Sequence, residues 1–214
     1  SYIKFLSNFC AKNKIYLMLD EIITGVRINC SSIQNMYNLK SDISTFGKVA
    51  GGGMPIGIIG ISKKIEKILA QKNKKVFFGG TFSGNSLSMY TGNNIVSFLL
   101  KNKKKIFSSL NDKSNFFVKK LNTEIIKNKI KAKVINFHSV VRIIFSNKLP
   151  KDRYQRDFFE KKNNKKRIEF INYLKKNKII YPNNGIVFLS HSMEKRHLNF
   201  IIKKIIIGLK KNFI

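Results

Sequence analysis

Apolar positions at Ile3, Phe5, Leu6 and Phe9 carry the spacing of a short helix over residues 2–12. A continuous apolar run follows, Ile15-Tyr16-Leu17-Met18-Leu19, and stops at Asp20-Glu21. A short unbroken run of this kind predicts a buried parallel strand with two carboxylates at its C-terminal edge. Open α/β sheets place their ligands at that edge. Residues 31–41 read as an irregular or helical connection. Residues 42–46 read as a short strand leading into Gly47-Lys48.

The next segment is rich in structure breakers, Gly51-Gly52-Gly53-Met54-Pro55-Ile56-Gly57. Another short strand, 58–61, precedes Ser62, which has the character of a helix N-cap for residues up to about Gln71. A second glycine-rich turn, Gly79 to Asn85, leads into a long helix over 86–103. The pattern changes near residue 110. Helix is predicted over 113–131, strands within 134–145, a polar connection over 148–164 and helix over 165–177. A turn at Tyr181–Gly185 then opens into a strand over 186–189, and a helix over 193–211 closes the chain. The fold class is α/β: part of a parallel α/β domain over residues 1–108, followed by a small α+β domain over 109–214.

The chain has 214 residues, enough to bury a core, and 43% of them are hydrophobic, which excludes a disordered chain. No apolar run reaches the roughly 18 residues of a membrane helix, so no membrane partner is expected. Net charge is +31, from 42 basic and 11 acidic residues. Such a field attracts polyanions. The lysines, however, are spread along the chain among abundant Ile and Asn, without zinc-finger spacing or an RNA-binding aromatic motif. A composition bias is the favoured explanation, and no specific nucleic acid is expected. Cys10 and Cys30 stand far apart, which suits neither a metal site nor a disulfide framework and fits a reducing cytoplasm. His138, His191 and His197 lack metal-ligand spacing and read as surface or capping residues.

Three features carry candidate chemistry: Asp20 at a strand end, Lys48 beside a triple glycine, and the turn Gly80-Thr81-Phe82-Ser83-Gly84-Asn85. A lysine amine forms a Schiff base with a cofactor aldehyde. A carboxylate beside a pyridine nitrogen keeps it protonated, and a freed lysine shuttles protons. Hydroxyl and amide groups at a glycine turn before a helix suit a phosphate. Each feature alone has an ordinary explanation: a surface lysine, a loop start, a common turn. Arg142, Arg153 and Arg156 are candidate clamps for a substrate carboxylate, Arg142 the best of them, against a favoured alternative of solvated basic surface. Glu21 reads as support for loop geometry rather than a proton carrier.

Order and wording make the set more specific. Asp20-Glu21-Ile22-Ile23-Thr24-Gly25-Val26-Arg27, Gly47-Lys48-Val49-Ala50-Gly51-Gly52-Gly53-Met54-Pro55-Ile56-Gly57 and Gly80-Thr81-Phe82-Ser83-Gly84-Asn85-Ser86-Leu87-Ser88-Met89 resemble three segments of the class III aminotransferases, with Ser86 where the family has proline. The strand at Phe188–Ser192 is similar to one that precedes the family's last helix.

The resemblance implies pyridoxal 5'-phosphate (PLP) as cofactor and an aspartate aminotransferase-type fold. Residues 1–108 would form the C-terminal part of the PLP-binding large domain, and 109–214 the small domain. It further implies a homodimer, with Lys48 as the catalytic Schiff-base lysine, Asp20 at the pyridine nitrogen and Thr81 on the cofactor phosphate of the neighbouring subunit. The activity implied is transamination between a small-molecule amino donor and a carbonyl acceptor. Intramolecular transfer of the glutamate-1-semialdehyde aminomutase type is the alternative. The wording from Phe78 to Phe82 and the strand bearing Arg142 favour a transaminase. Family members are roughly twice as long, so the chain is expected to be a fragment that binds PLP poorly alone. A noncatalytic remnant or basic binding protein is the third possibility.

Overall fold

In the computed structural model, which describes residues 2–71, 76–77 and 79–214, the first amphipathic stretch is helix α1 (Tyr2–Lys12). Phe5 and Phe9, one turn apart, bring their rings to 6.1 Å. Strand β1 (Met18–Asp20) is shorter than its apolar run. Helix α2 (Ile33–Met36) is a single turn capped by Ser32, whose hydroxyl accepts from the Asn35 N–H. Strand β2 (Ile43–Gly47) runs parallel to β1, with Asp20 opposite Thr45. A 3-10 turn (Lys48–Gly51) follows at once. Strand β3 (Gly57–Ile61) returns antiparallel to β2, giving the sheet order β1-β2-β3. Helices α3 (Lys63–Leu69), α4 (Ser86–Lys101) and α5 (Lys103–Lys127) come next, α3 capped by Ser62 and α4 by Asn85.

The remaining elements are β4 (Lys133–Phe137), β5 (Val140–Ile144), α6 (Arg153–Lys162), α7 (Asn164–Lys176), β6 (Ile186–Phe188) and α8 (Lys195–Phe213). The strands form an antiparallel sheet, β4-β5-β6.

The chain divides into two units, one ending at Phe107 and the other starting at Ser108. The second has a continuous apolar core. Phe117, Leu121 and Ile125 of α5, Phe170 and Leu174 of α7, and Leu198, Ile202, Ile205 and Leu209 of α8 bury their side chains with Val141 and Ile143 of β5. Those spacings of three and four put each set on one helix face. Gly208 lets α8 meet α7 closely: a Cβ there would lie 2.7 Å from Tyr173 Cδ1.

The first unit buries less. Its sheet is mixed, not purely parallel, and β1 is an edge strand. The expectation of a buried strand over 15–19 is corrected accordingly: Met18 is 57% exposed and Ile15 and Tyr16 are about as open. On β3, Ile58, Ile59 and Ile61 are exposed as well.

Two further expectations change. The polar connection over 148–164 contains α6, started by Asp152, whose carboxylate accepts from the Gln155 N–H at 2.8 Å. The helix expected from 113 begins at Lys103 and passes unbroken through residue 110. Among the described residues, no helix is long and apolar enough to cross a membrane.

Candidate active site

The end of β1 is built by its own backbone and by β2. Asp20 is exposed, and its Oδ1 accepts from the Ile22 N–H (3.0 Å) and from the Thr45 hydroxyl on the neighbouring strand (3.1 Å). Both bonds fall on one oxygen, so the carboxylate is oriented without being enclosed. Glu21, the next residue, has the opposite environment. It is 1% exposed and accepts from the Thr24 hydroxyl (2.6 Å) and the Ile33 and Gln34 N–H groups (2.9 and 3.0 Å). Its backbone N–H also reaches Thr45 O at 2.9 Å. Glu21 therefore ties the loop over 21–34 to the sheet, the loop-supporting role read from the sequence.

Lys48 lies three residues beyond Thr45, the register partner of Asp20. The strands are parallel, so Asp20 and Lys48 occupy the same end of adjacent strands. Lys48 is exposed and has φ +49, a left-handed conformation uncommon outside glycine. Gly52 ends its turn at φ +62, donating its N–H to Val49 O at 3.1 Å. Gly51 serves close approach, since a Cβ there would sit 2.8 Å from Ile56 Cγ2, whereas Gly53 takes φ +99 with open space around it.

Thr81 lies in the turn before α4, in a cleft of about 640 Å³ lined by Pro55–Ile58 and by Gly80–Asn85 with Ser88 and Met89. Lys48 and Asp20 are not among the lining residues. The structure thus brings Asp20 and Lys48 to one strand edge and sets Thr81 against the far end of the glycine loop. Phe78, part of the wording that favoured a transaminase, lies outside the described residues.

Two residues that sequence reasoning passed over touch the lysine turn. Thr91 on α4 donates to Gly51 O at 3.0 Å, and Gly92 lies so close that a Cβ there would be 2.8 Å from Ala50 O. A glycine inside a helical pattern was the available signal, since it costs helix stability and so points to close packing.

The candidate carboxylate clamps have other partners. Arg142 is mostly buried and donates to Glu160 at 2.5 Å, a carboxylate that also has Arg167 at 3.9 Å. Arg153 and Arg156 pair with exposed Asp157, and the hydrogen bond from Arg156 holds that carboxyl below its usual range. The expectation of a solvated basic surface holds for Arg153, which is 81% exposed, but not for Arg142, whose buried guanidinium pairs with Glu160 and leaves its Nε without a hydrogen-bond partner among the described residues. His197 closes a capping box at the start of α8, its Nδ1 accepting from the Glu194 N–H at 3.1 Å.

Comparison with known proteins adds three findings. The family model described as Aminotransferase class-III matches residues 1–151. The chain is 35% identical over 199 residues to a glutamate-1-semialdehyde 2,1-aminomutase from Wigglesworthia glossinidia brevipalpis, covering 93% of this chain and 43% of that protein. It is 43% identical over 101 residues to one from Archaeoglobus fulgidus, covering 47% of this chain and 24% of that one. Among solved structures it is similar to an omega-transaminase from Sphaerobacter thermophilus, with TM-score 0.83 at 18% identity over 98% of this chain and 47% of the other. A glutamate-1-semialdehyde-aminomutase from Pseudomonas aeruginosa in complex with PMP gives 0.81 at 15% identity over 97% and 47%. At such identities the two structures establish the fold alone. The chain spans less than half the length of each of these four relatives.

Proposed function

The chain belongs to the class III aminotransferase family, and from that premise we propose that it is the lysine-bearing portion of a PLP-dependent enzyme moving an amino group from a small-molecule donor to a carbonyl acceptor. The observation that carries the reading is the placement of Asp20 and Lys48 at one end of two adjacent parallel strands. The residues fit such a cofactor. An oriented, exposed carboxylate suits a protonated ring nitrogen, and an exposed amine suits the aldehyde on the same ring.

When bound, PLP supplies an electron sink for charge developing at the substrate α-carbon. The chain's own residues hold and move protons around it. Asp20, oriented by the Ile22 N–H and the Thr45 hydroxyl, would hold a proton on the ring nitrogen. Lys48, once free, takes a proton from the substrate carbon with its amine and returns it. Thr81 offers its hydroxyl to a phosphate. Its cleft is lined without Lys48 or Asp20, which supports giving that phosphate to the site of a second subunit in a homodimer. On this reading the unit up to Phe107 belongs to a PLP-binding large domain and the unit from Ser108 to a small domain.

A second reading, intramolecular amino transfer, uses the same residues. It is favoured by relatives at 34–43% identity that are named aminomutases. Turnover of glutamate-1-semialdehyde without an external amino donor distinguishes it from transamination.

The test is spectroscopic. The protein expressed from its full reading frame is expected to develop a Schiff-base absorption band with PLP, to trap the cofactor on Lys48 with borohydride, and to lose both in Lys48→Ala. Absence of the band in the parent protein overturns the reading and leaves a noncatalytic basic protein as the better account.

A further inference from the structure

The turn that carries Lys48 is gripped by helix α4, and the grip is built of backbone. At Gly92 a Cβ would lie 2.8 Å from Ala50 O, and at Gly52 one would lie 2.8 Å from Thr91 O. The helix and the turn therefore approach each other through glycines on both sides, with Ile95 Cγ2 3.2 Å from a Cβ at Gly52 and Ile56 Cδ1 3.6 Å from one at Gly92. Thr91 adds a directional bond. Its hydroxyl lies 3.0 Å from Gly51 O, with Leu87 O at 2.9 Å and Ser88 O at 3.2 Å as intrahelical competitors. Gly51 O also accepts from the Met54 N–H at 3.1 Å, so this carbonyl joins helix, turn and glycine loop.

A left-handed lysine needs such support. Left-handed φ is disfavoured for any side chain with a Cβ and persists where the surroundings over-determine it. Lys48 meets that condition at φ +49, between an extended Gly47 and a turn fixed at Ala50, Gly51 and Gly52.

We propose that Thr91 and Gly92 are positioning residues that set the presentation of the Lys48 amine by locking its turn against α4. The proposal rests on the role of Lys48 given above, but it concerns the chain's own residues and is tested without cofactor. In the full-length protein, the rate of Lys48 reductive methylation is followed against pH by peptide mass spectrometry, with hydrogen exchange at Gly52 and Met54 measured alongside.

Thr91→Val is expected to change the Lys48 rate–pH profile and to reduce protection at Gly52 and Met54 by about tenfold, the worth of one lost hydrogen bond. Thr91→Ser restores the parent profile. Ser97→Ala, an exposed change on the same helix, leaves it unaltered. Gly92→Ala, where the new methyl group meets backbone, moves the profile further or fails to fold. A parent-like Lys48 profile in Thr91→Val overturns the proposal, whatever Gly92→Ala does. Failure of the parent protein to form a Schiff base bears on the functional reading alone, because the labelling needs no PLP.

Discussion

Among single residues, the buried polar groups tell most. Glu21 satisfies three donors with two oxygens while almost fully withdrawn from water. In Glu21→Gln one oxygen becomes an amide that faces a donor. The variant is expected to lose about 2 kcal/mol in urea unfolding, with the loop over 21–34 opening first. Tyr181 is a different case. Its phenol donates to Gly185 O at 3.2 Å, and burial pushes its pKa well up, with Arg142 and Arg167 offsetting part of the shift. A raised phenol pKa means that the fold favours the neutral form. Its contribution is complete below the ordinary value of about 10 and is lost as pH rises beyond it. Tyr181→Phe is expected to cost about 1 kcal/mol at pH 8. The deficit shrinks or reverses near pH 11, as urea midpoints of the two proteins at both pH values will register. The sequence pointed to Glu21 as loop support because a second carboxylate at a strand end has ordinary backbone work to do. It held nothing comparable for Tyr181, whose hydrogen bond to Gly185 is local but whose arginine neighbours, Arg142 and Arg167, are distant in the chain.

The elements were legible where periodicity and breakers agreed. Strands β2 and β3 and the last helix of the chain are close to their predicted bounds, because each is flanked by glycine, by a capping residue or by a clear change in pattern. Helix α6 was missed because its residues are mostly charged, and a solvated helix is hard to tell from a loop by apolar spacing alone. Its signal was the capping pair. Asp152 accepts from the Gln155 N–H, and Gln155 Oε1 accepts from the Lys151 N–H at 2.7 Å. Asp152→Ala is therefore expected to cost about 1 kcal/mol of local stability, seen as faster hydrogen exchange over residues 153–157. The strand edge with Asp20 and Lys48 was legible because both its motifs are contiguous in sequence. The seat of Lys48 on α4 was not. It depends on a contact between residues 50–52 and 91–92 that no local pattern contains.

At the scale of the whole molecule, apolar surface and charge have different causes. Exposed apolar side chains gather on the first unit, where Ile59 of β3 is 63% exposed, whereas the second unit carries a core of its own. Charge is spread throughout, and many of the acidic residues are already engaged. Glu21 supports a loop, Glu160 and Asp157 hold arginines, Glu66 and Glu194 pair with neighbours, and Asp42 and Asp152 accept backbone bonds. The net +31 is thus a diffuse lysine field with few carboxylates left to shape it. A diffuse field binds polyanions by counterion release and does not read bases. Two unrelated DNA duplexes of equal length are therefore expected to compete within about twofold of each other and to release together as salt rises. A built nucleic-acid site would instead separate them by about a thousandfold or more. That outcome in a fluorescence competition assay would turn the basic composition from a bias into a function. Equal competition would leave the composition bias as the account of the charge.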